Sequence, residues 1–382
     1  MKSTLQFLSA LWMRVAICIP SLLGGSFSLV HGQVPSITRQ GPVVGQGTEL
    51  IDCWQSLREQ LRATVVPLRQ PEFEIRLLAR GNDKNTMEQL SVSKLPAKIV
   101  LVLGGLQGDI TACEKFAMSL DRELKNPANT RFAVFHYPND GSIAESGQVL
   151  KQLLDEFRRG SPNTRVSIIA HSMGGLVARC AIELQRDAIE PATPCVVDHL
   201  TLVCPPNNGS ILAQYGDALE LSDALSKMIK GTESLLSIVN TLVDDGLGEA
   251  CDELRPNSEL LTQLNKAKRV QGVRYTIIAG TRGPISPFVK LATTIALNES
   301  QAQTRVKDFP KAEEALRRVI ELITCDELSQ GLGDGAVSLA SAQLPGVTEF
   351  IKMPIQHVEW TDIEKPQVQE LLRKLASLLT PN

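Results

Sequence analysis

The stretch Arg165-Val-Ser-Ile-Ile-Ala-His-Ser-Met-Gly-Gly-Leu176 restricts the fold more than any other part of the chain. Val166 to Ala170 is a short apolar, β-branched run, as in a strand buried on both faces of a parallel sheet. Gly174 and Gly175 open a segment, 176–185, with apolar residues at helical spacing. Ser172 stands at the joint. The spacing Ala170-x-Ser172-x-Gly174 is that of the G-x-S-x-G elbow between a strand and a helix, with Ala in the first glycine position. So sharp a turn strains its apex residue and needs small neighbours two positions either side, which makes Ala170 and Gly174 the elbow-shaping residues. The apex serine is then presented at a helix N-terminus, where backbone N–H groups and the helix dipole stabilise developing negative charge. Taken alone, the same pattern also describes a buried strand followed by a helix that Ser172 merely caps. The rest of the chain has to decide.

With 382 residues, 43% hydrophobic and 21% charged, the chain has material for one large core or two domains. The net charge of -3 and the absence of a basic run argue against a nucleic-acid partner. At the N-terminus Lys2 and Arg14 precede an uncharged stretch, 15–30, broken by Pro20, Gly24 and Gly25. That is shorter than the roughly 20 apolar residues of a spanning helix. Residues 1–32 therefore read as a signal peptide cleaved before Gln33, and the expected localisation is exported, secreted or periplasmic, with an uncleaved membrane anchor as the alternative. Export makes disulfides possible. Of the eight cysteines Cys18 falls in the signal, and the odd number left implies at least one free thiol if pairs form within the chain. Cys180 and Cys204 read as core residues. No paired Cys or His spacing suggests a metal, and no phosphate or dinucleotide motif suggests a cofactor.

Along the chain, residues 33–97 form a leader and N-terminal extension: a Gly- and Pro-rich 33–47, a helix over 50–65, a strand over 73–78 and a polar loop or hairpin turn over 81–94. From Lys98 strands and helices alternate. The strands are expected at 99–103, 132–136, 166–170, 199–204, 273–279 and 350–352, and the helices at 113–125, 142–159, 176–185 and 368–379. This is the pattern of a mostly parallel α/β sheet flanked by helices, spanning 98–382. Two long segments interrupt it. Residues 209–269 have helical spacing over more length than a crossover needs and read as a cap, about 211–270, over the carboxyl ends of the strands. A second insert, 284–330, carries a helix over 312–322. Both could instead be buttress helices.

A serine hydroxyl becomes a nucleophile when a base takes its proton, and the base works best when a carboxylate fixes its tautomer. Of the five histidines only His357 follows both the elbow and a credible acid. It lies in a loop just past the last short strand. Asp334, between glycines in Gly331-Leu-Gly-Asp-Gly-Ala-Val-Ser338, is the candidate acid, because a glycine-flanked loop can turn the carboxylate inward while Val337 anchors it. Asp326 and Glu327 are rivals at a helix end with nothing apolar behind them. The backbone N–H groups of Met173 and of Leu106, in the glycine loop after the first parallel strand, are the candidate oxyanion donors.

Together the elbow Ala170-His-Ser-Met-Gly-Gly175, Gly104-Gly105-Leu106, the Pro205-Pro-Asn-Asn-Gly-Ser210 turn, the Leu254-Arg-Pro-Asn-Ser-Glu-Leu-Leu261 segment, Gly333-Asp-Gly335 and His357 resemble the α/β-hydrolase lipases and esterases. The nearest branches are the bacterial triacylglycerol lipases and the GPI-inositol-deacylase-like and lecithin-acyltransferase-like lipases. The resemblance covers about residues 98–379. It implies an α/β-hydrolase fold with a helical cap after the sixth-type strand, Ser172 as nucleophile, His357 as base, Asp334 as orienter, and Leu106 and Met173 as oxyanion donors. It also implies a small-molecule or lipid ester substrate, with lipid-surface contact through the cap. Thioesters, amides and acyl transfer remain open, since they share the triad, and so does a non-catalytic lipid- or partner-binding role. Gly104 departs from the pattern, because such lipases usually carry His before the glycine.

Overall fold

The computed structural model describes residues 73–79, 86–89, 96–106, 108–125, 129–138, 141–184, 196–215, 249–288, 290–291 and 324–380. The signal and leader, the helix expected over 50–65, the middle of the expected cap and the helix expected over 312–322 lie outside them. An eight-stranded sheet runs through the molecule in the order β2-β1-β4-β3-β5-β6-β7-β8. Its strands are β1 (Glu74–Ala79), β2 (Thr86–Gln89), β3 (Lys98–Leu103), β4 (Thr130–His136), β5 (Arg165–His171), β6 (Val197–Val203), β7 (Arg274–Gly280) and β8 (Phe350–Met353). From β3 to β8 every pairing is parallel, whereas β1 pairs antiparallel with both β2 and β4. The fold is that of an α/β hydrolase. The sheet begins earlier than Lys98, since β1 and β2 belong to it. β2 falls where a loop or hairpin turn was expected, because an edge strand pairs through its backbone and does not need an apolar run.

The strands are continuous apolar runs because both faces are covered. Successive side chains point to opposite sides, and the core divides accordingly. Leu101, Leu103, Ile168, Leu200 and Ile277 pack in a cluster with Leu150, Phe157, Leu176 and Leu264. Val100, Val102, Ile169, Val203 and Ile278 pack in a second cluster with Phe116, Leu120, Leu371 and Leu375. The first cluster draws on α2 (Ile143–Gly160), α3 (Met173–Arg179) and, further along, Glu259–Lys266. The second draws on α1 (Ile110–Glu123) and the closing helix Pro366–Leu379. Capping sets where these helices begin. Asp109 accepts the Thr111 N–H at 2.8 Å and Ser142 accepts that of Glu145 at 3.3 Å, each a contribution of about 1 kcal/mol. α1 therefore starts three residues before the expected Cys113.

α3 continues as one π-helical turn, Cys180–Leu184. At its end Arg179 is fully buried. Its guanidinium donates to Glu183 Oε2 at 3.1 Å, Asn207 Oδ1 at 3.0 Å, the Leu264 carbonyl at 2.9 Å and Asn265 Oδ1 at 3.2 Å. Arg269 also reaches Glu183, at 3.3 Å. The described ends of the expected cap are a 3-10 turn, Ile211–Tyr215, and the pair α4 (Glu249–Glu253) and α5 (Glu259–Lys266). Leu260, Leu261 and Leu264 of α5 sit inside the first core cluster. This part of the segment buttresses the sheet. Residues 216–248, between the described ends of the segment, lie outside the described residues.

Candidate active site

Parallel strands put their carboxyl ends at one edge of the sheet, and the loops that leave β3, β5, β7 and β8 meet there. β5 ends at His171, and the chain turns at Ser172 directly into α3. Ser172 has φ 53° and ψ -126°, a backbone conformation that costs a non-glycine residue about 1–3 kcal/mol. Its N–H donates to the Val203 carbonyl at 2.8 Å, tying the apex to the end of β6. A Cβ on Gly174 would lie 2.3 Å from the Gly104 carbonyl oxygen, and Ala170 is fully buried. The elbow is thus pressed against the glycine loop. The Ser172 side chain makes no capping bond to α3, which removes the reading of this residue as a plain helix cap.

Instead, the Ser172 hydroxyl lies 2.8 Å from His357 Nε2. His357 sits on a short 3-10 turn, His357–Glu359, that follows β8. Its Nδ1 is 2.9 Å from Asp334 Oδ2, and its backbone N–H donates to the Asp334 carbonyl, also at 2.9 Å. The carboxylate can only accept, so Nδ1 carries the proton and Nε2 accepts from the Ser172 hydroxyl. The other carboxylate oxygen, Oδ1, accepts the N–H groups of Ala336 at 3.0 Å and Val337 at 2.8 Å. Asp334, His357 and Ser172 are 1%, 1% and 5% exposed. In this low-dielectric setting each of these hydrogen bonds is stronger than in water.

Three features shape this relay beyond the residues given a site role from the sequence, the last of them the turn after β6 that belongs to the resemblance. A Cβ on Gly280, the last residue of β7, would lie 2.6 Å from Asp334 Cβ. Only glycine lets the acid lie over the strand end. Cys204, just after β6, has φ 51° and is buried with its thiol against Asp334; burial first, and then that carboxylate, push the thiol pKa well up. It is a core residue, as its apolar surroundings suggested, but one that faces the acid. The turn after β6 also clamps the acid loop. The Ser210 hydroxyl donates to the Ala336 carbonyl at 2.7 Å and Asn208 Nδ2 to that of Ser341 at 3.0 Å, while Asn207 Nδ2 donates to the Ala342 carbonyl at 2.8 Å.

Of the rival acids, Asp326 is exposed and pairs with Lys290 at 3.0 Å. Glu327 corrects its expectation: it is 3% exposed and turned into the protein. Desolvation raises its pKa, and its Oε1 takes the Ile211 N–H at 3.5 Å rather than His357. Its main-chain carbonyl, which accepts from Gly335, draws it into the acid loop.

The glycine loop closes the other side. A Cβ on Gly105 would lie 2.7 Å from Ser172 Cβ and 3.2 Å from its Oγ. Leu106 follows in a tight turn closed by the Gly108 N–H to the Gly105 carbonyl at 3.1 Å. The buried Tyr137 hydroxyl, which was not singled out in the sequence, pins the loop through the Gly104 carbonyl at 2.7 Å. Met173, the first residue of α3, has an N–H with no acceptor inside its own helix. Ligand atoms of His171, Cys204 and His357 lie within 4.8 Å of one another. Both nitrogens of His357 are already engaged by Ser172 and Asp334, so this grouping follows from the relay itself. Among the described residues Cys113, Cys180, Cys204 and Cys325 are free thiols.

Residues 128–308 match a domain family of unknown function, DUF7379. No curated protein matches the chain in sequence. Among solved structures the chain is similar to the phospholipase PlaB from Legionella pneumophila, with 17% identity over 64% of this chain and 45% of that one and a TM-score of 0.40. It is also similar to the mature Bacillus licheniformis lipase BlEst2, with 17% identity, 75% and 94% coverage and a TM-score of 0.41. A third similarity is to the metagenomic carboxyl esterase MGS0156, with 14% identity, 79% and 82% coverage and a TM-score of 0.43. The chain spans less than half the length of the phospholipase.

Proposed function

We propose that this chain is a serine hydrolase of carboxylic esters acting through an acyl-enzyme. The observation that carries the reading is the buried relay from Ser172 through His357 to Asp334, set on a strained elbow. His357 Nε2 takes the hydroxyl proton as Ser172 Oγ bonds to the ester carbonyl carbon, and the carbonyl oxygen becomes an oxyanion. Asp334 holds the ring in the tautomer that makes this possible and stabilises the imidazolium that results. The Met173 N–H, and that of Leu106 in the loop pressed against Ser172, are the proposed oxyanion donors. The imidazolium then protonates the leaving alcohol as the carbon–oxygen ester bond breaks. In the second half His357 deprotonates water as it attacks the acyl carbon, and the imidazolium returns that proton to Ser172 Oγ as the acyl–oxygen bond to the serine breaks and the acid leaves.

A lipid-like acyl group is the proposed substrate class, supported by the apolar helical spacing of residues 216–248 between the described ends of the first insert. Contact of that segment with a lipid surface is part of the same proposal. Export is proposed on the uncharged stretch 15–30, and N-terminal sequencing of the mature protein would expose its failure by finding residues 1–32 still in place. The function is tested with p-nitrophenyl esters from acetate to palmitate. Hydrolysis above a Ser172→Ala background, rising toward longer chains, is expected. No hydrolysis of any ester would sink the reading, and a preference for acetate would move it to a small-ester hydrolase.

A further inference from the structure

His171 has no part in the chemistry above, yet it lies between Ser172, which follows it in the chain, and the ring of His357. It is 3% exposed, and neither of its ring nitrogens is bonded to another side chain, its polar neighbour being the His357 backbone. A buried imidazole with so few polar partners costs more than an aliphatic side chain would, so what the ring contacts becomes the question. Its ring stacks on Trp360 at 4.4 Å between centroids, with 11° between planes. Its other contact is His357, at 4.7 Å and 49°. Trp360 lies three residues beyond His357 and rests in turn on Phe116 of α1, at 4.8 Å. A continuous aromatic column therefore runs from the helix after the glycine loop to the ring of His357. Above it, a Cβ on Gly105 would lie 3.3 Å from His171 Nδ1.

We infer that His171 is a positioning residue, a neutral aromatic platform braced by Trp360 and Phe116 that holds the His357 ring in line and favours its imidazolium form. A cation within about 6 Å of an aromatic face is stabilised by the ring quadrupole, and the 4.7 Å contact meets that distance. The platform must itself stay neutral. Burial first, and then the charge of His357, hold the His171 pKa well below its usual value. The other titratable groups around it are Cys204, whose thiol burial keeps protonated, and Asp334 behind His357. His171 thus faces His357 as an uncharged ring while His357 gains and loses its proton.

The inference rests on the proposed role of His357, but it is read on the ring itself rather than on turnover. An NMR titration of His357 in wild type, His171→Phe and His171→Leu measures whether an aromatic ring is what matters. The two variants are expected to differ, with Leu moving the His357 titration away from that of wild type and Phe leaving it in place. On a cleaved ester, Leu is expected to lower kcat by about tenfold with KM within about twofold, and Phe to restore most of it. Equal shifts in both variants, or a shift in neither, would overturn the platform. If neither variant folds, Trp360→Phe against Trp360→Leu puts the same question to the brace, with the same expected contrast. A wild type that cleaves no ester would defeat the proposed function and leave the titration to decide the platform by itself.

Discussion

At Gly280 an added methyl group would meet Asp334 Cβ at 2.6 Å and the Ile355 carbonyl oxygen at 2.8 Å. Neither neighbour can give way without moving the acid or the loop that carries His357. Gly280→Ala is therefore expected to lower kcat/KM on esters by about 100-fold through misplacement of Asp334. It should cost only about 1–3 kcal/mol of stability, from overpacking. Steady-state kinetics beside a denaturant titration would check this, and unchanged kinetics would mean that the acid tolerates the shift. That Ser172, Asp334 and His357 come together was legible in the sequence because residue type and chain order select them. Gly280, Cys204, Tyr137 and His171 were not, because what they do depends on which atoms the fold brings within a few ångströms. Glu327 was misread for the same reason: no local pattern shows that a polar residue in an acidic, glycine-rich loop turns inward.

Among the elements, α3 carries a burden beyond the elbow. Arg179 joins its end to the turn after β6 and to α5, in a site closed to water. Removing the guanidinium takes the donor from the Asn207 and Asn265 side-chain oxygens and leaves part of the Glu183 charge unpaired, while the Leu264 carbonyl keeps Arg269 at 3.1 Å. Arg179→Ala is expected to cost about 3–5 kcal/mol, read as a lower urea midpoint, whereas a loss within about 1 kcal/mol would show that Arg269 alone neutralises Glu183. The strands and helices from Lys98 onward were legible because buried parallel strands and amphipathic helices have distinct periods. Their ends were less so. α1 begins at an Asp109 cap inside an unremarkable loop, and β2 is too polar to announce itself.

Across the whole molecule, the parallel sheet carries buried titratable groups at both of its ends. At the end opposite Ser172, His199 Nε2 lies 2.8 Å from the Thr276 hydroxyl, and burial, with Arg274 nearby, lowers its pKa to about 4. The unfolded chain binds a proton near pH 6.5 that folded His199 refuses until about pH 4, so stability is present above pH 6.5 and is lost as pH falls through that window. His171 adds loss of the same sign. Glu183 and Glu327, whose pKa values are raised, oppose it by losing stability as pH rises above 4.5. The clean reading is thus a difference: between pH 6.5 and 4 wild type should lose about 2–3 kcal/mol more than His199→Gln, and parallel curves would contradict the assignment.

The elbow brings all of this to one atom, Ser172 Oγ. Wild type incubated with a fluorophosphonate probe and then digested for mass spectrometry should carry the adduct on the Ser172 peptide, with labelling lost in Ser172→Ala and slowed at least 100-fold in His357→Ala. An unlabelled wild type, or labelling that survives Ser172→Ala, would contradict a serine hydrolase built on this relay.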